Sequence, residues 1–244
     1  MCGRFVQAQP LHELSTFLSA AVDEATNTLP PRYNIAPSAI VTALTDLDDT
    51  RRLVPHIWGL IPSWAKDPAI GLKLSNARAE TVWEKPSFRS SIRSSRVVVP
   101  IDGFYEWSPA QAGGPRGING KPLKEPHYFT RRDGSPLLLA AISSTWRNPL
   151  KPADERRTVC LLTTGANATM APIHHRMPVI LERNELEHWL TASSEDAQGE
   201  LDYLLRPCNE NVLQERTVTT EVNNARNEGA HLLAEVDNTP TTLF

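Results

Sequence analysis

The sequence predicts an α+β fold: a single domain with a curved, mostly antiparallel β-sheet or barrel at its core and helices at the periphery. Three observations predict it. Short apolar runs of strand length cluster in the middle of the chain and outnumber the helical patterns. The strands and helices do not alternate in the way that builds a parallel sheet. The chain has 20 prolines against 12 glycines, which favours short elements and stiff turns over long helices.

Each element rests on its own pattern. Helices are predicted over residues 10–22, 78–94 (interrupted at Pro86), 184–190 and 200–205. The evidence is either apolar residues at helical spacing, such as Leu11, Leu14 and Leu18, or a helix-forming run between breakers. Runs rich in β-branched and other apolar residues predict strands over residues 40–45, 53–58, 97–101, 137–143 and 159–163. The first two strands flank a charged turn over 46–49. The tail after Gly229 shows only weak patterns for helix or strand.

One domain is expected to span residues 1–244, because no linker divides the chain convincingly. Residues 109–126 are rich in Pro, Gly and Lys and predict an exposed insertion loop. We expect this insertion to leave any active site undisturbed.

Charge and composition limit the function. The net charge of −3 argues against a globally basic DNA-coating protein, so a nucleic-acid site must be a local patch. No apolar stretch is long enough for a membrane span, and the N-terminus lacks the pattern of a signal peptide. Cys2, Cys160 and Cys208 are too widely spaced to suggest a disulfide framework. We therefore expect a cytoplasmic protein without membrane contact, in which Cys160 and Cys208 are structural.

The second residue is the most reactive candidate. Removal of Met1 would give Cys2 a free α-amine beside its thiol. Such a 1,2-aminothiol adds to an aldehyde as a Schiff base and then closes to a thiazolidine ring. The reference pKa values, ~7.7–8.0 for the amine and ~8.5 for the thiol, leave both groups partly available at neutral pH. The alternative is an incidental residue on a disordered terminus.

Six polar and aromatic segments stand apart from the apolar core pattern. They are 32–37 (RYNIAP), 58–64 (WGLIPSW), 75–81 (SNARAET), 102–107 (DGFYEW), 173–178 (IHHRMP) and 222–227 (VNNARN). The chain has no GxSxG elbow, P-loop, GxGxxG or HExxH sequence, which argues against the hydrolases, nucleotide-binding proteins and zinc proteases that carry them.

Single residues in these segments allow two interpretations each. Glu106 is either a strand-end carboxylate paired with an arginine or a general acid whose ionised form the flanking aromatic rings desolvate. His174 and His175 could be zinc ligands, but no second ligand cluster has metal spacing, so one of them acting as an acid or base is favoured. Asn76 could cap a following helix.

The tryptophans and arginines are equally ambiguous. Trp58, Trp64 and Trp107 suit a core, and they also suit stacking on unpaired bases. Three arginines at spacings of four and three could form a solvated helix face or a phosphate-binding strip; they are Arg89, Arg93 and Arg96.

Taken together, these motifs resemble the SOS response-associated peptidase (SRAP) family of abasic-site processing proteins. The match consists of Cys2-Gly3-Arg4-Phe5 followed, in the family's order, by 32–37, 58–64, 76–81, 102–107 and 174–178, and it covers roughly residues 2–227. The resemblance implies a β-rich fold around a DNA-binding groove and an N-terminal cysteine that bonds covalently to the aldehyde of an abasic site in single-stranded DNA. It assigns the remaining active-site positions to Asn76, Glu106 and His174. His174 fits because the family pattern is His-x-Arg-Met-Pro, with His175 at the variable position.

On this resemblance we expect a monomer that acts in DNA repair and needs no cofactor and no metal. DNA contacts are expected from Arg4, Asn34, Pro37, Trp64, Arg78, Trp107 and Arg176. The three other catalytic side chains should lie within hydrogen-bond reach of Cys2 or one water away. The basic groove should contain Arg4 and Arg78 with one or more of Arg32, Arg89, Arg93 and Arg176.

Two other functions remain open. The first is a cysteine peptidase of the N-terminal nucleophile kind, which releases Cys2 by cutting off Met1 and then attacks peptide bonds. The second is a non-covalent single-stranded DNA-binding module in which Cys2 has no role.

Overall fold

A computed structural model describes residues 2–47, 50–109, 116, 120 and 122–236. In this part of the chain the strands are β1 (Phe5–Gln7), β2 (Ala21–Val22), β3 (Arg32–Ile35), β4 (Ile40–Leu47), β5 (Thr50–Trp58), β6 (Asn76–Arg78), β7 (Arg96–Ile101), β8 (Gly103–Trp107), β9 (Pro126–Arg131), β10 (Leu137–Asn148), β11 (Lys151–Gly165), β12 (Arg176–Pro178), β13 (Ile180–Leu181) and β14 (Leu213–Thr217). The α-helices are α1 (Leu11–Leu18), α2 (Glu24–Asn27), α3 (Arg89–Ser94), α4 (Leu186–Thr191) and α5 (Ala197–Leu201).

Five strands close into a mixed barrel in the order β11-β10-β7-β4-β5. Neighbours in this order pair antiparallel, and β5 returns to β11 in parallel, with Val159 opposite Trp58. The short strands β2, β6, β12 and β13 attach to its members. The predicted α+β fold with a mostly antiparallel barrel and peripheral helices is confirmed.

A second sheet, wholly antiparallel, has the order β14-β9-β8-β1-β3. The N-terminal strand β1 lies inside it, and Phe5 pairs with Ile35 on one side and Phe104 on the other. The N-terminus is therefore fixed by a strand on each side.

Both faces of β10 are buried over residues 137–142. On β10, Leu138, Ala140 and Ile142 pack in the cluster that contains the helices. The alternate residues of β10 pack in the cluster that contains Phe5 and Phe104 of the second sheet. Strands covered on both faces carry near-continuous apolar runs, which is why the sequence predicts them well.

The helices are shorter than predicted. The helix predicted over 10–22 ends at Leu18, because Ser19 adopts a left-handed conformation with φ of 52° and the chain turns into β2. Of the region 78–94, only Arg89–Ser94 is α-helical. Arg96 begins β7 instead of continuing that helix, and its buried guanidinium donates to backbone carbonyls such as that of Trp189. The interpretation of Arg96 as part of a phosphate-binding strip is therefore wrong.

The insertion predicted over 109–126 joins β8 to β9. These two strands pair next to the insertion, with Trp107 opposite Pro126. Of this insertion, residues 110–115, 117–119 and 121 lie outside the described part of the chain. Two residues of the predicted 46–49 turn, 48 and 49, do so as well. Among the described helices, none has the length and apolar character needed to cross a membrane.

Candidate active site

Cys2 is fully buried next to β1. It belongs to the same apolar cluster as Phe5 and Trp58, whose rings lie 4.6 Å apart between centroids. Its carbonyl oxygen accepts a hydrogen bond of 2.9 Å from the Nδ2 of Asn76. The alternative of a disordered terminus at Cys2 is therefore wrong.

Two neighbouring influences set the protonation of the Cys2 thiol. Burial raises the pKa of this thiol well above its usual range, and the charge of Glu106 raises it further. The thiol therefore holds its proton at neutral pH. The influence of Glu106 also shows that its carboxyl group is close to Cys2, although 104 residues of sequence separate them.

Asn76 reaches Cys2 from the barrel side. It is the first residue of β6, which pairs in parallel with β11 at Leu161. Its position in a strand contradicts the alternative of a helix cap. While Nδ2 holds the Cys2 carbonyl, Oδ1 is buried and has no hydrogen-bond partner among the described residues. That oxygen can accept a hydrogen bond from a group that arrives at Cys2.

Glu106 and His174 line one cavity of about 450 Å³ from different elements. Glu106 lies on β8 and is 5 % exposed, whereas His174 is half-buried in the turn before β12. Arg4 and Trp107 line the same cavity. A larger cavity of about 730 Å³ lies beside α1 and the Pro30-Pro31 turn and is lined by neither Glu106 nor His174, so size alone does not identify the site.

The backbone of Arg176 holds one nitrogen of His174. Nδ1 of His174 lies 3.0 Å from the backbone nitrogen of Arg176 and 3.1 Å from its carbonyl oxygen. The ring stacks on His175 with 4.5 Å between centroids. His175 is exposed, and the neighbouring His174 lowers its pKa. The backbone therefore orients the His174 ring in the turn before β12.

Arg4 is anchored by neutral acceptors. Its Nη1 donates to Oδ1 of Asn34 at 2.6 Å and to the carbonyl of Val222 at 3.0 Å, and its guanidinium lies 5.7 Å from the ring centroid of Trp107. Asn34 is fully buried, and its Nδ2 contacts the carbonyls of Val222, Asn224 and Asn227. Asn34 therefore supports Arg4 from behind and offers no surface to DNA.

Arg176 forms an ion pair with a carboxylate. Its guanidinium makes a forked pair with Glu80 and also donates to the carbonyl of Thr163 at 2.6 Å. The hydrogen bonds from Arg176 lower the pKa of Glu80. Arg78 is exposed on β6, close enough to act on Glu80 and His175.

The other predicted contact residues are spread around the surface. Trp64 is 60 % exposed and Pro37 is exposed. Trp58 is core, with its Nε1 donating to the Ser75 carbonyl. Arg32 is paired with Glu228, while Arg89 and Arg93 are exposed on α3. The chain thus gathers Cys2, Asn76, Glu106 and His174 in one region and holds Arg4 and Trp107 there with them.

Sequence reasoning missed part of the cavity lining. Pro122, Leu123 and Lys124, at the returning end of the 109–126 insertion, line it together with Asn223. The returning end of the insertion therefore forms part of the cavity wall, which the sequence did not predict. Asn223 accepts a hydrogen bond from Nε1 of Trp107, and its segment was visible as a dense polar run without an assigned role.

A metal centre finds no support in this geometry. Within the described ranges, no group of three or more His, Cys, Asp or Glu side chains is arranged to hold a metal ion. What the site offers is a thiol, a carboxyl group, an imidazole and an amide around one small cavity. This set can transfer protons to and from a carbonyl compound that reacts with Cys2.

The barrel, the second sheet and the enclosed cysteine beside Asn76 and Glu106 define a class of β-rich proteins whose site is built around residue 2. Comparison with known families gives that class its name. The model of the SOS response associated peptidase (SRAP) family matches residues 1–225, so the chain belongs to this family.

Its relatives span nearly the whole chain. The abasic site processing protein YoqW of Bacillus subtilis is 33 % identical over 233 residues, which cover 96 % of this chain and 99 % of that protein. The abasic site processing protein YedK of Escherichia coli is 30 % identical, with coverage of 97 % and 100 %. A crystal structure of a protein from Bacteroides thetaiotaomicron superposes with a TM-score of 0.77 at 26 % identity and covers 89 % of this chain and 92 % of that one.

Proposed function

We propose that this protein processes abasic sites in single-stranded DNA by forming a thiazolidine crosslink through Cys2 after removal of Met1. One observation carries the proposal: Cys2 is buried with its backbone held by Asn76 and its thiol under the influence of Glu106. The names of the relatives, abasic site processing proteins, support the same substrate. We further infer that the protein acts as a monomer in DNA repair.

The proposed reaction balances without a cofactor. The Cys2 amine adds to the aldehyde of the ring-opened abasic sugar and, with loss of one water, gives a Schiff base. The thiol sulfur then bonds to the former aldehyde carbon, and its proton ends on the amine nitrogen. Since burial keeps the thiol protonated, the amine attacks first and the thiol closes the ring second.

Glu106 and His174 suit the proton transfers. A carboxyl group in the cavity can protonate the ring oxygen of the closed sugar and release the aldehyde. The ionised carboxylate, or the imidazole of His174, can then accept the proton that the attacking amine loses. Asn76 assists by position, because its unpartnered Oδ1 can accept a hydrogen bond from the amine and orient it toward the aldehyde.

DNA contacts are proposed for residues on the surface around the cavity. Arg4 and Arg78 would hold phosphates, while Trp64, Trp107 and Pro37 would pack on neighbouring sugars and bases. The roles of Asn34 and Arg176 would be indirect. Asn34 fixes Arg4, and Arg176 fixes Glu80 beside Arg78.

The decisive experiment is a denaturing gel after incubation with single-stranded DNA that contains one abasic site. Wild type should give a band that survives denaturation, and Cys2→Ala should give none. Cys2→Ser keeps an amine but cannot close a thiazolidine, so it should lose the stable adduct. Cys208→Ala is the matched control, because it removes a half-buried thiol outside the site and should crosslink like wild type.

The same gel separates the other two functions. Peptide-bond cleavage without DNA would support the peptidase that the family description names. A mobility shift that disappears on denaturation would support a non-covalent DNA-binding module. A denaturation-resistant adduct with Cys2→Ala would refute the proposed nucleophile.

A further inference from the structure

A histidine outside the cavity lies directly across the sheet from Glu106. β8 and β9 pair antiparallel, and Glu106 is opposite His127 in their register. Side chains at such positions point to the same face, with Cβ atoms about 5 Å apart. Two residues along, Phe104 faces Phe129 in the apolar cluster that also contains Cys2. His127 therefore shares the sheet face on which Glu106 and Cys2 meet.

His127 is held by a carboxylate from the next strand. Its Nδ1 lies 2.6 Å from Oε1 of Glu215 on β14. A carboxylate only accepts, so Nδ1 carries a proton and the orientation of the ring is fixed. His127 is 9 % exposed, which makes this contact a buried, charge-assisted one.

The opposite edge of the ring is less well satisfied. Nε2 of His127 is buried and has no hydrogen-bond partner among the described residues, and the nearest carboxylate oxygen, Oε2 of Glu125, is 3.6 Å away. Two carboxylates therefore contact the ring, Glu215 from β14 and Glu125 from the residue before β9, and Glu106 lies across the strand pair from it. Without the imidazole between them, the carboxylates of Glu125 and Glu215, whose side chains are each 31 % exposed, would repel one another and Glu106.

We propose that His127 is a positioning residue for Glu106, which separates its carboxyl group from those of Glu125 and Glu215 and fixes it toward Cys2. The inference rests on the proposed function, since it assigns a support to the acid–base group of that reaction. His127 does not line the cavity and so does not touch the substrate. It keeps its own Nδ1 proton throughout, while Glu106 gives up and takes back a proton.

The test measures crosslinking rates at saturating single-stranded DNA with one abasic site, together with the DNA concentration for half-maximal rate. His127→Phe keeps the ring shape and removes both nitrogens; it should slow the saturated rate by about 10- to 100-fold, the range for partners that orient a reacting group. His127→Asn can still donate to Glu215 and should recover part of the rate. The half-maximal DNA concentration should stay unchanged in both variants. His12→Asn, which replaces a highly exposed histidine on α1, is the control and should match wild type.

A merely structural histidine gives a different pattern. In a Glu106→Gln background, His127→Phe should have no further effect on the residual rate, because the group that it positions is gone. Equal losses in both backgrounds would overturn the inference, and so would a wild-type rate for His127→Phe. If wild type itself forms no adduct, the proposed function fails; if wild type reacts and only the histidine variants behave otherwise than expected, the positioning role alone fails.

Discussion

The candidate site has two walls that treat charge differently. The buried wall comprises Cys2 and Glu106, at 0 % and 5 % exposure, with Arg4 beside them just before β1. The open wall comprises the half-buried His174 and the Arg176–Glu80 pair at the edge of the barrel. On the buried wall, desolvation sets the protonation of Cys2. On the open wall, opposite charges meet in water and largely cancel.

The two anchored arginines show the same difference. Arg4 donates to an amide oxygen and a backbone carbonyl, so its guanidinium keeps a full net charge next to the cavity. Arg176 donates to the carboxylate of Glu80, and the pair has no net charge. A polyanion is therefore attracted more by the arginine that neutral groups hold than by the one that a carboxylate holds.

The largest expected effect is on the rate of adduct formation, which should depend more on the buried wall than on the open wall. Glu106→Gln keeps the shape of the side chain but cannot exchange a proton, so it should slow adduct formation by roughly 10²–10⁴-fold. Its affinity for undamaged single-stranded DNA should hardly change. His174→Gln should lose less, because water reaches the open wall and can replace the imidazole in proton transfer. Single-turnover crosslinking with parallel binding measurements checks this, and equal losses in the two variants would erase the distinction.

The hydrogen bonds that hold the buried wall in place should contribute to the free energy of unfolding. Asn34→Ala removes a fully buried amide that holds Arg4 and contacts three carbonyls, so unfolding in denaturant should become easier by about 2–4 kcal/mol. Asn209→Ala removes an exposed amide that accepts a single backbone hydrogen bond at a turn and should cost about 0.5–1 kcal/mol. Similar costs for both would mean that Asn34 is not a structural centre.

The salt dependence of DNA binding sharpens the comparison of the arginines. Arg4→Gln should reduce the log–log salt slope by about 0.7, the contribution of one phosphate contact on a single strand. The double variant Arg176→Gln/Glu80→Gln removes a neutral pair and keeps the net charge of the protein, so its slope should match wild type. A double variant that loses as much slope as Arg4→Gln would place a phosphate on the open wall.

The smallest effect concerns the ion pair of the open wall. The pKa of Glu80 is depressed in the folded protein by Arg176, so its stabilisation is present above the unfolded pKa and is lost as pH falls through the folded value. Because Glu80 is about half exposed, Glu80→Gln should cost less than about 1 kcal/mol near pH 7. The difference from wild type should vanish once the pH falls below the lowered pKa of Glu80, where its carboxyl group is protonated. A deficit that persists in acid would have a cause other than the pair.

The sequence was most informative where residues act alone. Apolar runs such as 97–101 predicted barrel strands because both of their faces are buried. Cys2 stood out because an amine and a thiol on one residue can react with an aldehyde, and this chemistry can be recognised without knowing the fold. Asn76, Glu106 and His174 came from the resemblance of ordered motifs, since no local pattern announces that distant residues meet.

The sequence could not predict roles that depend on which residues meet in the fold. Two strands of the second sheet, Phe5–Gln7 and Arg32–Ile35, are three and four residues long and mix polar with apolar side chains, so their periodicity is too short to identify a strand. Arg4 and Arg176 look alike in sequence, and only their acceptors distinguish them. His127 gains its meaning from a register that joins it to Glu106.

The contact between Asn34 and Val222 also orders events during synthesis. These residues are 188 positions apart, so at roughly 5–20 residues per second a ribosome needs about 10–40 s to make the second after the first. During that interval Arg4 lacks the Val222 carbonyl, and the N-terminal strand lacks its final anchor. Cys2 is therefore made long before the Val222 carbonyl that anchors Arg4. In the finished protein Cys2 has no exposed surface, so an aminopeptidase would meet a more accessible terminus on the nascent chain.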